Sequence, residues 1–479
     1  MSLKDQTISG ILWNSIERFG SLGIQLITTI ILARLLSPSD FGLIGMLYVF
    51  ITLGATFIDS GFSQALIREK EVNQTDYSSV FYLNIFLGVI VYIILFFLSS
   101  SIAHFFHEDE LKKLSKFVFL IFPINSLSLI QIAIINREVT FQKLTKVSIL
   151  SSIISGIIGI VMAYCGYGVW SLVYQSIFFA FFKSLFLWIV NSWRPSFVFN
   201  FDSIKKYFGF SANILATDTI IGVFNNIYTI IIGKFYPLNE VGYYNQAKRF
   251  TDVPYLTLTS IVQSVSYPIL SKVQEDDEKL KYGYRKVIKE VMYLNLPIMF
   301  GLLAVSNNLI FVVFSTKWMP AVPYFQLLCI YGAFFPLHSI NVNILKVKGK
   351  SNKMLILEII RRSIIVLAII FTLKRGIIIM LIGNIFASWI SILINMFFCG
   401  KEIHLTLKEQ FKDIIGYFVL AIIMMISTYF INYLFDIEKI YVLIIQVFMS
   451  FCIYFCLSVF LKVDAFEEIK NIILNKIKK

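Results

Sequence analysis

The chain has 479 residues, 57% of them hydrophobic and only 15% charged, with a mean hydropathy of +0.77. Soluble domains run nearer a quarter charged, so the composition excludes an ordinary soluble enzyme and indicates an all-α polytopic membrane protein. The net charge of +13 comes without a nucleic-acid-binding motif. It reads as basic loops at a membrane face, with no nucleic-acid partner.

A bilayer core of roughly 30 Å takes about 20 apolar residues per helical span. In chain order, such runs are predicted at 10–35, 42–63, 79–99, 114–135, 147–166, 169–191, 209–233, 242–267, 288–314, 321–345, 354–373, 376–399, 413–433 and 439–461, about fourteen spans in all. Turn residues mark the breaks at Ser37-Pro38-Ser39-Asp40, Gly166-Tyr167-Gly168, Tyr236-Pro237 and Gly349-Lys350-Ser351. The connections are too short for a large extramembrane catalytic domain. No small-residue cleavage site follows the first run, so it is expected to be retained as a span.

Lys and Arg set the expected orientation. With the N-terminus inside, the inside segments carry 27 of them and the outside segments 11. The positive-inside rule then places both termini in the cytoplasm.

Residues Leu32 to Ile44 (LARLLSPSDFGLI) resemble residues Ile232 to Tyr244 (IGKFYPLNEVGYY) at an offset of 200, pairing Arg34 with Lys234, Asp40 with Glu240 and Gly42 with Gly242. Each segment joins the first and second spans of a six-span half, and an even number of spans separates them. The halves therefore form a parallel pseudo-two-fold repeat about an axis along the membrane normal. The expected layout is an N-lobe over 1–205, a C-lobe over 206–405, and two extra helices with a basic cytoplasmic tail over 406–479.

Ionisable groups at membrane depth cost several kcal/mol unless they face a bundle interior or a wet cavity, so each is a candidate site residue. They are Glu17 and Arg18 in span 1, Asp59 near the inner end of span 2, Lys183 in span 6 and Asp218 in span 7. Lys248, Arg249 and Asp252 follow in span 8, and Glu358, Arg361 and Arg362 in span 11. Glu358 and Arg362 stand at i, i+4 and can pair on their own helix. Lys183 can snorkel along its stem to an interface. Arg18 lies about 12 Å into its span at 1.5 Å per residue, too deep for that. Guanidinium groups bind phosphate bidentately and stay charged, whereas isolated carboxylates suit a cation-coupled site. Both kinds are present, so charge type leaves the substrate open.

The remaining motifs give little chemistry. None of the five cysteines forms a C-x-x-C, and the four histidines include only one neighbouring pair, His104 and His107. No metal site, cofactor site or catalytic constellation is indicated. Gly42-x-x-Gly45 and Gly156-x-x-Gly159 are small-residue faces for close helix approach.

Taken together, LARLLSPSDFGLIGM (32–46), DSGFSQALI (59–67), GYGVWSLV (166–173), GYYNQAKRF (242–250), YPILSK (267–272) and Lys317-Trp318 resemble the Wzx-type polysaccharide exporters. These are lipid-linked oligosaccharide flippases related to multidrug MATE transporters and to the peptidoglycan-precursor flippase. The likeness runs from about Trp13 to Gly349, nearest the colanic-acid and lipopolysaccharide branch. It implies a V-shaped pair of six-helix lobes around a cationic cavity that works by alternating access. In the peptidoglycan-precursor relative, arginines of spans 1 and 8 line the cavity. Arg18 and Arg249 occupy those spans here, while the relative's span-2 arginine has no counterpart.

The implied substrate is a polyprenyl-diphosphate-linked oligosaccharide for O-antigen, capsule or exopolysaccharide synthesis. Its diphosphate would meet Arg18, Arg249, Lys183 and Lys248, and its lipid tail would stay in the bilayer or beside spans 13 and 14. Asp59, Asp218, Asp252 and Glu17 are the candidates for coupling or gating. The implied location is the bacterial inner membrane, among membrane lipids, with the polymerase and glycosyltransferases of the same pathway as expected partners. A MATE-type cation-coupled drug antiporter is the alternative. It would share the repeat, but deep arginines would repel its cationic substrates.

Overall fold

Among the described residues, seventeen α-helices follow one another along the chain, with no strand. They are α1 (Leu3–Leu35), α2 (Pro38–Asp59), α3 (Phe62–Arg68), α4 (Gln74–Phe106), α5 (Glu110–Val118), α6 (Ile121–Ser126), α7 (Leu129–Glu138), α8 (Phe141–Tyr164), α9 (Trp170–Val190), α10 (Phe201–Phe235), α11 (Leu238–Ser271), α12 (Asp277–Phe314), α13 (Val322–Val347), α14 (Ser351–Thr372), α15 (Ile377–Glu402), α16 (Leu407–Leu434) and α17 (Lys439–Phe460). The computed structural model describes residues 3–59, 61–468 and 470. Side chains at 3–12, 14, 15, 18, 210 and 265 fall outside that description.

Helix starts are set by local chemistry. Ahead of α2, the Ser37 hydroxyl accepts from the Asp40 N–H at 3.2 Å, and the Asp40 carboxylate accepts from the Ser37 N–H at 2.8 Å. With Pro38 at the first helical position, this satisfies donors that the helix itself leaves open. Asn73 with Asp76 builds the same reciprocal cap on α4, and Thr406 with Glu409 builds it on α16.

The all-helical expectation holds. Among the described residues, ten helices are long and apolar enough to cross a membrane, or eleven if one bent pair is a single span. The exceptions have physical causes. α11 is rich in Tyr, Ser, Thr and Gln, α14 carries Glu358, Arg361 and Arg362, and the described apolar part of α1 is short, Phe19–Leu35. The predicted run 114–135 is not one straight helix. It is divided among α5, α6 and α7, with a 43° bend between Glu110–Ser126 and Leu129–Glu138. Pro123 cannot donate to the helical ladder. The hydroxyls of Ser126 and Ser128 turn back to the carbonyls of Pro123 and Asn125, both at 2.8 Å, competing with helix continuation.

The chain forms two compact units, Met1–Asn245 and Gln246–Lys479, with the boundary inside α11. In the first unit α1 and α9 both pack on α8, and α2, α4 and α10 form a second group bridged by the short α5 and α6. Gly156 of α8 admits the Thr28 side chain, whose hydroxyl would lie 2.7 Å from an added Cβ.

In the second unit α12 is central, flanked by α13, α16 and α17, with α14 and α15 beyond α13. The two extra C-terminal helices are tied to α12 by polar pairs. Arg285 forks onto Asp413 at 2.6 and 2.8 Å, Tyr293 donates to Ser458 at 3.0 Å, and Asn308 donates to Gln446 at 2.9 Å. Asp464 and Glu468, after α17, pair with Lys289 at 3.2 Å and Lys286 at 2.6 Å.

Candidate functional site

Five candidate site residues lie in the first unit. The side chain of Arg18 falls outside the described residues; its backbone belongs to α1. Glu17, one residue before it, is half-buried and lies within electrostatic range of Lys183 on α9. Lys183 also stands over the Phe179 ring, with Nζ 5.8 Å from the centroid. Two of the predicted groups, one acid and one base, therefore lie within electrostatic range of one another.

Asp59 and Asp218 are brought together as well. Helices α2 and α10 run antiparallel. The Asn226 amide donates to Thr52 at 3.3 Å, and Gly222 backs onto Leu53. Farther along the same register, Gly61 presses on α10, where an added Cβ would lie 2.9 Å from Ile214 Cβ and 3.3 Å from Ser211 Cα. Its φ of +73° is one that residues with a Cβ rarely adopt. This approach sets Asp59, which interacts with Ser63, within electrostatic range of Asp218. Asp59 Oδ1 and the Ser211 hydroxyl are buried with no hydrogen-bond partner among the described residues. Neither carboxylate has a basic partner among the described residues. Buried polar atoms left unmatched cost about 1–3 kcal/mol each, so the cluster is suited to accept a cation or a proton.

In the second unit, the predicted binder Lys248 and the predicted coupling residue Asp252 form one i, i+4 ion pair at 2.5 Å. The Tyr255 hydroxyl donates to the other Asp252 oxygen at 2.6 Å. Arg249, the next residue, is exposed.

A network of which the sequence expectations held only the Glu358–Arg362 pair joins α13, α14 and α15. Arg362 pairs with Glu358 at 2.7 Å, and Arg361 reaches the same carboxylate at 3.4 Å. Arg361 Nη1 also contacts His338 Nε2 at 2.9 Å, while His338 Nδ1 meets the Asn395 amide at 2.6 Å. The pairing of Glu358 with Arg362 follows from their spacing; His338 and Asn395 come from neighbouring helices and leave no local signal. A usable signal was the turn at Gly349: His338 lies 11 residues before it and Arg361 12 after it. Across a short helical hairpin such positions stand at one depth.

An apolar groove of about 300 Å³ runs between α13, α15 and α16, lined by Phe334, Leu337, Trp389, Met396, Ile415 and Phe418 among others. Its chemistry suits a hydrocarbon chain. No group of three or more His, Cys, Asp or Glu among the described residues is placed to hold a metal ion.

The fold and its polar clusters define the class: a multi-pass, all-helical membrane protein with the fold of flippases and multidrug transporters. The fold is similar to that of the lipid II flippase MurJ in an inward closed conformation, with a TM-score of 0.73 and 20% identity over 94% of this chain and 99% of that one. It is also similar to an inward-facing multidrug resistance MATE family transporter, with a TM-score of 0.60 and 16% identity over 82% of this chain and 98% of that one. Residues 31–323 match the family described as Polysaccharide biosynthesis protein, and the chain belongs to that family.

Lipopolysaccharide biosynthesis protein WzxC of Escherichia coli K12 is 30% identical over 343 residues, 69% of this chain and 68% of that protein. Teichuronic acid biosynthesis protein TuaB of Bacillus subtilis 168 is 27% identical, covering 73% of each. The succinoglycan biosynthesis transport protein ExoT of Rhizobium meliloti 1021 is 24% identical over 66% of this chain and 64% of that one. The resemblance read from the motifs is borne out.

Proposed function

We propose that this chain flips a polyprenyl-diphosphate-linked oligosaccharide from the cytoplasmic to the periplasmic leaflet of the bacterial inner membrane, by alternating access. What carries the reading is the combination of membership in a polysaccharide-biosynthesis family with a lipid-flippase fold along nearly the whole chain. The same combination favours it over a MATE-type drug antiporter. Both termini are assigned to the cytoplasm on the Lys and Arg distribution, and no catalytic role is assigned.

The substrate's three parts need three environments. The diphosphate needs guanidinium or ammonium groups, for which Arg18, Arg249, Lys183 and Lys248 are the proposed set. The prenyl chain needs an apolar surface such as the groove on α13, α15 and α16. The sugars need hydrated space. Outward movement of a dianion is favoured by an inside-negative potential, at roughly 2.3 kcal/mol per charge per 100 mV. Asp59 with Asp218 is the proposed coupling pair, with Asp252 and Glu17 as ion-paired or gating groups. The polymerase and glycosyltransferases of the same pathway are the proposed partners.

Gene deletion, with analysis of surface polymer and lipid-linked intermediates, tests the reading. Loss of polymer with completed repeat units held in the cytoplasmic leaflet is the expected result, restored by the wild-type chain. Well-expressed Arg18→Ala and Arg249→Ala chains are expected not to restore it; rescue by both would remove those arginines while leaving the flippase. Normal polymer with new sensitivity to cationic dyes would move the chain to the drug-antiporter class.

A further inference from the structure

Arg361 stands ten residues into α14, about 15 Å along the helix axis at 1.5 Å per residue. That is near the middle of the 22-residue helix. If α14 crosses the bilayer, charge there faces a bundle interior or a wet cavity, because hydrocarbon does not solvate it.

How Arg361 is held determines what it offers. Its Nη1 corner is taken by His338 Nε2 at 2.9 Å and by the Glu358 carboxylate at 3.4 and 3.5 Å. A guanidinium only donates and does not lose its proton, so Nε2 is the acceptor and His338 is neutral, with its hydrogen on Nδ1. The Asn395 amide oxygen then accepts from Nδ1, the two amide ends being interchangeable by a flip. His338 is thereby locked between two neighbours, and Arg361 is locked by His338.

Glu358 lies closer to Arg362, at 2.7 Å, than to Arg361, so its charge is shared and Arg361 receives the lesser part. The Nε and Nη2 groups of Arg361 have no acceptor among the described residues, and the side chain is 20% exposed. Those two donors form the parallel edge that takes a phosphate bidentately.

We propose that the Nε–Nη2 edge of Arg361, positioned by His338, is a binding fork for one phosphate group of the lipid-linked substrate. The assignment rests on the flippase reading. Glu358 acts as the internal competitor for the guanidinium, holding it while the fork is empty.

The test uses the full chain in lipid nanodiscs with undecaprenyl diphosphate as the probe. Undecaprenol serves as the phosphate-free control and phosphatidylglycerol as the headgroup control. Arg361→Gln is expected to weaken diphosphate binding at least tenfold. Arg361→Lys, which keeps the charge and loses the fork, should not restore it. Glu358→Gln should tighten binding several-fold, because the competing carboxylate is gone.

A merely structural network would weaken binding in both the Arg361 and Glu358 variants, and that outcome overturns the proposal. So does wild-type affinity in Arg361→Gln, full rescue by Arg361→Lys, or equal binding of phosphatidylglycerol. Melting curves in detergent identify a variant that fails to fold, and the Glu358→Gln result then decides alone. If wild type itself binds undecaprenyl diphosphate no better than undecaprenol, the flippase reading falls with it. Tight wild-type binding that ignores both substitutions removes only the fork.

Discussion

Gly42 and Gly242 lie in reciprocal contact. A Cβ on Gly42 would overlap the Leu238 carbonyl oxygen, and a Cβ on Gly242 would overlap the Pro38 carbonyl oxygen. Ser39 is hydrogen-bonded to Asn239, and Gly45 lies against the Asn245 side chain. Ser39–Asn239 and Gly45–Asn245 stand 200 apart, and Gly42–Leu238 and Pro38–Gly242 exchange places when that offset is applied. The contact therefore has the self-complementary form of a two-fold interface, in which residue i meets j and j meets i.

A methyl group at either glycine would meet backbone, which cannot rotate away. Overpacking of this kind costs typically about 1–3 kcal/mol. Gly242→Ala and Gly42→Ala are each expected to lower the apparent melting temperature of the purified chain by several degrees, at roughly 2–4 °C per kcal/mol for a unit of this size. Gly209, also helical, has open space where a Cβ would go, and Gly209→Ala should leave the temperature unchanged or raise it. Equal behaviour of all three variants would contradict the packing account.

The repeat was legible because its turn chemistry is local: Pro38 with its cap, and the small residues beyond, are visible in a short window. Hydropathy located the helices for the same reason. It did not reveal the bend in 114–135, since Pro123, Ser126 and Ser128 barely change the apolar count while removing or diverting ladder bonds. Spacing also found Glu358 with Arg362; Lys248 with Asp252, an i, i+4 pair on one helix as well, was open to the same reading. His338 with Arg361, and Asp59 with Asp218, are partners across helices. Their meeting depends on helix register, which one sequence does not supply without counting outward from a turn.

Arg285 and Asp413 fasten α16 to α12 through a two-point fork, with the Asp413 side chain only 5% exposed. Removing one member of a buried pair costs about 3–5 kcal/mol. Because the Arg285 side chain is one-third exposed, about 2 kcal/mol is the better expectation after solvent screening. Arg285→Ala, which leaves the buried Asp413 carboxylate with only Lys289 at 3.8 Å, should lower the melting temperature more than Asp413→Ala, which leaves a guanidinium that can reach water, and the double variant should cost less than the sum of the two. A double-mutant cycle in detergent measures the coupling; additivity would mean the fork does not hold the helices together.

Lys248 and Asp252 neutralise one another, and Tyr255 completes the Asp252 carboxylate. Lys248→Met should leave a carboxylate at membrane depth held by one hydroxyl, and Asp252→Asn should leave an unmatched ammonium. Each single variant is expected to reduce polymer export in a deletion strain. The double variant Lys248→Met, Asp252→Asn should recover much of it if the pair serves structure. Failure of the double variant with normal expression would instead give Lys248 a direct part in handling the anionic substrate.

Asp59 and Asp218 present the opposite arrangement, two carboxylates in electrostatic range, with the Ser211 hydroxyl nearby unpartnered among the described residues. Like charges sharing a site disfavour full ionisation unless a cation or proton enters. If this pair couples transport to an ion gradient, Asp59→Asn and Asp218→Asn should each abolish the dependence of lipid translocation on that gradient in reconstituted vesicles. Downhill exchange of the lipid should continue, because neither residue is part of the proposed phosphate-binding set. A sodium gradient and a proton gradient imposed separately identify the ion. Gradient dependence that survives in both variants would place the coupling elsewhere and leave the pair as a packing contact between α2 and α10.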